Sequence, residues 1–252
     1  RDQPRSRGLG DVYKRQPKYL LFLENAFPYM DNYNYHKGMN VIIQELKDLL
    51  KTKSIGTNSD RALLLDFQAT LETKPEKAIK LEKDALAQIE NITADNARLV
   101  SNLHANLGGL YRMNGHPDLA REHMEKSISL LDQFNLLHIN DSIPQIANYA
   151  MFLTEQQEPE RGISELQKLS GIIKEYHSDD CLDYAKVQET LGTIYLMTAN
   201  LPQAKTHFKR AFKIYEKIWA DEPEMIEAKY QEIQELYPQI GFCIGKKLSG
   251  LL

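Results

Sequence analysis

Residues 185–217 read AKVQETLGTIYLMTANLPQAKTHFKRAFKIYEK and decide the fold of this 252-residue chain. Apolar and small residues recur there at steps of three and four, Leu191, Tyr195 and Phe208 among them. This spacing is the period of a helix, and no sustained alternation typical of a strand accompanies it. In the middle, the Asn200–Pro202 turn ends one helix and begins another. The stretch therefore predicts two helices joined by a tight turn and lying antiparallel.

The same pattern recurs along the chain at a period of 42 residues, which is the mark of a repeat architecture. Two columns hold small residues with one exception, and a third holds large ones. They are Asp66, Gly108, Ala150 and Gly192; Ala78, Ala120, Gly162 and Ala204; and Glu82, Met124, Leu166 and Phe208. We expect the small residues to let the paired helices approach closely, with Asp66 as the odd member.

The columns divide the chain into helix pairs of about equal length. Clear repeats are predicted near 101–142, 143–184 and 185–226, a divergent one near 59–100, an irregular unit near 19–58, and a terminal helix near 227–238 with a tail. Together they form one predicted domain, 17–252. Proline at the start of each second helix, and the polar connectors between pairs, support these boundaries. Asp95 and Asp180 are predicted to cap the helices that follow them.

The pattern resembles the tetratricopeptide repeat. The residues that carry the resemblance are Asn106-Leu107-Gly108, Tyr111, Gly115, Ala120, Met124 and Ser127, and again Leu191-Gly192, Tyr195, Ala199, Ala204, Phe208 and Ala211. His104 and Gln188 stand where that family has a large residue. The period of 42 and the phrase FKIYEK at 212–217 are similar to the kinesin light chain type of repeat, which is widespread in bacteria. The resemblance implies an all-α fold, a right-handed α-solenoid of stacked antiparallel helix pairs.

The resemblance also implies a concave groove lined by the first helix of each pair, which binds a peptide or protein segment. The positions carried over are Asn102, Asn106, Arg112, Met113, Asn148, Met151, Glu155, Lys186, Glu189 and Met197. Asn106 and Asn148 match an asparagine that clamps an extended peptide backbone in such repeats. An amide suits this role because it both donates and accepts hydrogen bonds. The alternative is that these asparagines only cap or bridge neighbouring helices.

Composition and charge exclude several classes of function. Lys and Arg number 31 against 35 Asp and Glu, so the net charge of −4 favours neither nucleic acid nor an anionic membrane as a partner. The apolar runs are too short to cross a bilayer. Cys181 and Cys243 are too few and too isolated for a disulfide framework, which favours a reducing cytoplasm.

No catalytic constellation, metal site or cofactor motif is predicted. The seven histidines lack metal-helix spacing and are expected on the surface or in loops. Gly108-Gly109 has no accompanying phosphate-loop motif, and a packing role explains it better. Cys181 follows two aspartates, and negative charges beside a thiol make it a poor nucleophile. We therefore expect a chain that is not an enzyme.

Residues 1–16 differ in composition from the rest of the chain. They hold four of its ten arginines and are expected to be a non-native or flexible segment. Two functions remain from the sequence. The first is a non-enzymatic scaffold or adaptor that binds a protein or peptide in the groove. The second is the peptide-sensing half of a bacterial transcriptional regulator or signalling protein whose N-terminal effector domain is missing. The sequence does not indicate an oligomeric state.

Overall fold

The computed structural model describes residues 22–23, 26–27, 30, 35–51, 56–139 and 142–236. Within these ranges every regular element is a helix, and the described helices number ten. The first five are α1 His36–Lys51, α2 Asn58–Thr70, α3 Pro75–Leu86, α4 Ala97–Met113 and α5 Pro117–Gln133. The others are α6 Ser142–Glu155, α7 Pro159–Tyr176, α8 Leu182–Met197, α9 Leu201–Ile218 and α10 Pro223–Leu236. Residues 1–16, Pro238 and Cys243 lie outside the described ranges.

The predicted all-α fold of antiparallel helix pairs is confirmed, since α2 packs on α3, α6 on α7 and α8 on α9. Within the predicted repeats, the first helices are α2, α4, α6 and α8, and the second helices are α3, α5, α7 and α9. The chain divides into two compact units, Arg1–Ser127 and Ile128–Leu252, which are described separately. The helix predicted near 227–238 is α10, which begins at Pro223 and ends at Leu236.

The turn between the helices of a pair has the same backbone geometry in three repeats. Gly115, Gln157 and Ala199 are 42 residues apart, and all have a left-handed φ, of 74°, 65° and 58°. Such a residue closes a helix C-terminus because it lets the following amide bond back into the last turn. The bonds run from His116 N to Tyr111 O (2.9 Å), from Glu158 N to Leu153 O (2.8 Å) and from Asn200 N to Tyr195 O (2.7 Å).

The predicted N-caps are wrong by one residue. The N-cap of α4 is Asn96 rather than Asp95, and that of α8 is Cys181 rather than Asp180. The Cys181 sulfur accepts a bond from the backbone amide of the third helical residue at 3.4 Å. The Asp180 carboxylate instead pairs with the Lys217 ammonium of α9. Aspartate is a better capping residue than cysteine, which is why the sequence favoured Asp180. In the structure the Asp180 side chain forms an ion pair with Lys217 instead.

The small-residue columns lie where the paired helices touch. A Cβ added at Gly162 of α7 would sit 2.6 Å from the Ala150 carbonyl oxygen of α6. One added at Gly192 of α8 would sit 2.9 Å from the Phe208 ring of α9. Ala150, Gly162 and Phe208 are buried. The predicted close approach of the helices is therefore confirmed, and the large column fills the space beside the glycines.

Candidate functional site

The second unit has a cleft on its first-helix side. Its volume is about 200 Å³. The walls come from α6, α8 and α10, and the lining residues are Ala147, Asn148, Met151, Glu189, Thr190, Thr193 and Ile233. Three predicted groove residues, Asn148, Met151 and Glu189, thus lie together. Sequence reasoning missed Ile233, although it stands 42 residues after the buried Leu191 and so continues an apolar column.

Asn148 carries the main hydrogen-bonding capacity at the mouth of this cleft. Its side chain is exposed, and among the described residues the amide has no hydrogen-bond partner. An amide in this state offers two donor hydrogens and an acceptor oxygen. Met151, one helical turn further along α6, adds a half-buried and adaptable apolar contact. The pair can hold a polar main chain and an apolar side chain at once.

Glu189 closes the other side of the cleft, but its charge is already compensated. Its Oε1 lies 3.0 Å from the Lys229 Nζ of α10. Its Oε2 accepts a bond of 2.6 Å from the Tyr215 hydroxyl of α9. Both charged side chains are only 19% exposed. Burial alone would lower the Lys229 pKa, yet attraction to Glu189 and hydrogen bonds to Glu189 and Glu232 outweigh it and raise that pKa.

Tyr215 completes this arrangement. Burial, followed by the charge of Glu189, raises its pKa, so the phenol stays protonated and keeps donating to Glu189. The Glu189 carboxylate at the cleft therefore has both a cation and a hydroxyl donor as partners. Sequence reasoning placed Glu189 in the groove and missed Lys229 and Tyr215, because neither lies on a predicted first-helix groove position.

Three other predicted residues of this unit do not line the cleft. Lys186 and Met197 lie on α8 and Glu155 ends α6, and all three side chains are exposed. Met197 has 44% of its surface accessible. They remain on the same first helices but at a distance along them from the cleft, so the structure brings together only part of the predicted set.

The four predicted residues of the first unit, Asn102, Asn106, Arg112 and Met113, all lie on α4. Met113 is 82% exposed. The Asn106 amide is already engaged, since Nδ2 donates to Asp66 Oδ1 at 2.8 Å and to Glu82 Oε1 at 3.2 Å. Asn106 therefore bridges α2, α3 and α4, and differs in this from Asn148.

Three histidines lie in helix contacts rather than on open surface or in loops, which corrects the sequence-based expectation for them. His104 and His123 face each other with their Nδ1 atoms 2.9 Å apart. In the same columns, 84 residues later, His207 Nδ1 lies 2.9 Å from Gln188 Oε1. At the first-helix position where the family has a large residue, His104 and Gln188 each form a hydrogen bond with a histidine of the second helix. Rings stack beside each pair, His123 on Tyr111 at 5.4 Å and His207 on Tyr195 at 5.3 Å.

Burial in these helix contacts lowers the pKa values of the three histidines. Burial, then the charge of His123 and Lys126, lowers the His104 pKa to about 4. Burial is also the main cause of the lowered His123 and His207 pKa values. The rings are therefore neutral at physiological pH, with one nitrogen donating and one accepting. Among the described residues, no group of three or more His, Cys, Asp and Glu side chains is placed to hold a metal ion.

Comparison with known proteins agrees with this architecture. The family model for the tetratricopeptide repeat matches residues 142–217. No curated protein matches the sequence. None of the helices in the described part of the chain is both long and apolar enough to cross a membrane.

Solved structures of similar fold include the following two. One is a putative kinesin light chain of Podosopora anserina with nearly identical TPR-like repeats, with a TM-score of 0.59 and 12% identity, covering 81% of this chain and 98% of that one. The other is BtubC (BKLC) from P. vanneervenii, with a TM-score of 0.54 and 18% identity, covering 80% of this chain and 74% of that one. Residues 142–217 thus match the tetratricopeptide repeat, and the chain has the fold of a tetratricopeptide repeat protein resembling the kinesin light chain type.

Proposed function

We propose that this chain is a non-enzymatic interaction scaffold that binds an extended peptide or protein segment on its first-helix face. The observation that carries the proposal is the cleft of the second unit, with the unpaired and exposed Asn148 amide at its mouth among the described residues. Repeat proteins of stacked helix pairs offer this face for binding, because each first helix contributes a few outward side chains to a continuous surface.

The chemistry of the cleft favours a particular kind of segment. Asn148 offers a donor and an acceptor side by side, which matches one N–H and C=O pair of a peptide main chain. Met151 and Ile233 provide apolar walls, and the space of about 200 Å³ accommodates a side chain of ordinary aliphatic size. Glu189 is already paired with Lys229 at 3.0 Å. The preferred segment therefore presents backbone and an uncharged side chain rather than a cluster of charge.

The test starts from a random 12-residue peptide library displayed on phage, selected against the intact chain. The tightest peptide, labelled with fluorescein, is then titrated with wild type and with Asn148→Ala while anisotropy is measured. Losing the amide should weaken binding by about 1–3 kcal/mol, because a hydrogen bond at a desolvated contact is lost. Methylation of the contacted peptide nitrogen should cause a comparable loss.

Gln167→Ala is the matched control, since Gln167 is an exposed amide on α7, a second helix. This variant should bind the selected peptide as tightly as wild type. If Asn148→Ala and Met151→Ala both bind at wild-type strength, the peptide contacts another surface and the proposed site is wrong. A selection that returns no peptide enrichment over an empty support would also contradict the proposal.

A further inference from the structure

The divergent first repeat places two carboxyl groups where the other repeats bury a small residue against a large apolar one. In the last repeat Gly192 faces Phe208. In the divergent first repeat the same two positions hold Asp66 and Glu82, which face each other. Asp66 is 9% exposed and Glu82 only 1%. A buried carboxylate is unfavourable unless it is paired, so this substitution needs an explanation beyond packing.

The hydrogen bonds around the pair come from one neutral side chain. Asn106 Nδ2 of α4 donates to Asp66 Oδ1 at 2.8 Å and to Glu82 Oε1 at 3.2 Å. The remaining oxygen, Glu82 Oε2, is buried without a hydrogen-bond partner among the described residues. An ionised Glu82 would leave this oxygen both charged and unsatisfied.

Among the described residues, no cation contributes to the pKa shifts of the two carboxyl groups. The electrostatic partners of Asp66 on α2 and Glu82 on α3 are each other and Asn106. On α3 itself, Lys83 lies over the Tyr111 ring at 5.5 Å.

Two pairs of charged or titratable groups on the neighbouring helices contact each other rather than the carboxyl pair. On α1, Asp48 pairs with Lys51 at 3.3 Å. On α4 and α5, His104 and His123 bond to each other at 2.9 Å. Two adjacent carboxylates without a counter-charge cannot both be ionised in a buried site. Burial accordingly raises the pKa of Asp66, and burial followed by the charge of Asp66 raises the pKa of Glu82.

We propose that Asp66 and Glu82 share one proton at neutral pH, as a carboxylic acid bonded to a carboxylate, and that this proton joins α2 to α3. When alkali removes it to solvent, the O–H bond breaks and two buried negative charges face each other. The contact among α2, α3 and α4 then opens. The first unit is thus a pH-sensitive element.

Hydrogen exchange of the full chain, followed by mass spectrometry between pH 6 and pH 9, tests the proposal. Rates for peptides covering Asn58–Leu86 are corrected for the intrinsic pH dependence of exchange. Because the folded state retains one proton that the open state loses, the opening equilibrium should rise by up to about tenfold per pH unit. Glu82→Gln keeps the shape and hydrogen-bonding capacity but cannot release this proton, so its opening should be nearly independent of pH.

A second variant guards against a folding defect. Asp66→Gly combined with Glu82→Met copies the Gly108 and Met124 pair of the next repeat, and it should remove the pH dependence as well. Asp84→Asn is the control, since Asp84 is exposed on the same helix, and it should behave as wild type. Equal pH dependence in wild type and both pair variants would overturn the proposal.

Discussion

At the scale of single residues, two asparagines in one repeat column have different roles. Asn106 donates two hydrogen bonds to the buried Asp66 and Glu82 carboxyl groups. Asn148, 42 residues later, is exposed at the mouth of the cleft without such bonds among the described residues. The column is the same, but only Asn106 has two carboxyl groups within bonding distance. One amide is structural and the other is available for binding.

Asn106→Ala and Asn148→Ala should therefore differ in stability. Losing the Asn106 amide leaves buried carboxyl oxygens without their donor, and we expect a cost of about 1–3 kcal/mol in the free energy of unfolding. Asn148→Ala should stay within about 0.5 kcal/mol of wild type, as for other exposed sites. Urea denaturation followed by circular dichroism measures both. An early transition in Asn148→Ala, or an unchanged one in Asn106→Ala, would contradict this division.

The sequence predicted the same groove role for both asparagines because they occupy the same position of the repeat. The repeat pattern does not show which residues surround that position in the fold. Position 106 became a bridge only because Asp66 and Glu82 replace the usual small and apolar pair, and Asp66 was indeed the exception noted in its column. Lys229 lay outside the predicted groove positions for a related reason. Its role depends on the packing of α10 beside the Glu189 side chain. This is a tertiary contact, which a repeat pattern does not show.

At the scale of helices, α7 contains two glycines in opposite situations. Gly162 is buried, and its missing Cβ leaves room for the Ala150 carbonyl of α6. Gly171 is exposed, and a Cβ there would meet nothing within 4 Å. The first glycine serves the contact between helices, whereas the second only weakens the helix. Both lie within Pro159–Tyr176.

Gly162→Ala should destabilise the second unit, because the methyl group would lie 2.6 Å from a backbone oxygen that cannot rotate away. We expect a cost of about 1–3 kcal/mol from overpacking. Gly171→Ala should instead stabilise by about 0.5–1 kcal/mol, since alanine loses less backbone entropy in a helix. Thermal melting of the two variants provides the comparison. If both variants shift in the same direction, α6 and α7 are not in the contact described.

Helices and their turns were the most predictable features. Proline and the small columns depend on local geometry, so α3, α5 and α7 begin at the predicted prolines. The N-caps of α4 and α8 were less predictable, because contacts that the repeat pattern does not show decide which of several adjacent residues caps a helix. Asp180 illustrates this, since Lys217 of α9 engages it.

At the scale of the whole molecule, buried carboxyl groups and buried histidines make the free energy of unfolding depend on pH. Asp66 and Glu82 have a raised pKa, which weakens folding as pH rises. His104, His123 and His207 have a lowered pKa, and their effect has the opposite sign. The unfolded chain binds protons at these rings more readily than the folded chain does. Stability is therefore lost as the pH falls below 6.5, the ordinary pKa of a histidine.

His104→Gln should reduce this acid sensitivity. It copies Gln188, which pairs with His207 in the same columns, and so retains a partner for the His123 ring. Each protonation difference contributes at most about 1.4 kcal/mol per pH unit, and less here because the rings are partly exposed. Urea denaturation at pH 7 and pH 5 measures the change in each protein. A variant that loses as much stability as wild type over this interval would show that His104 does not contribute.

The position of α10 has a practical consequence for fragments of this protein. A chain shortened before Pro223 loses Lys229, Tyr230 and Ile233 together. Glu189 is then left without its cation at 3.0 Å, and the Phe212 ring without the Tyr230 ring stacked on it at 4.1 Å. Such a truncation uncovers an apolar surface, which promotes aggregation during expression. It also leaves the partly buried Glu189 carboxylate without its cation. Soluble fragments of the second unit therefore need to extend through Leu236.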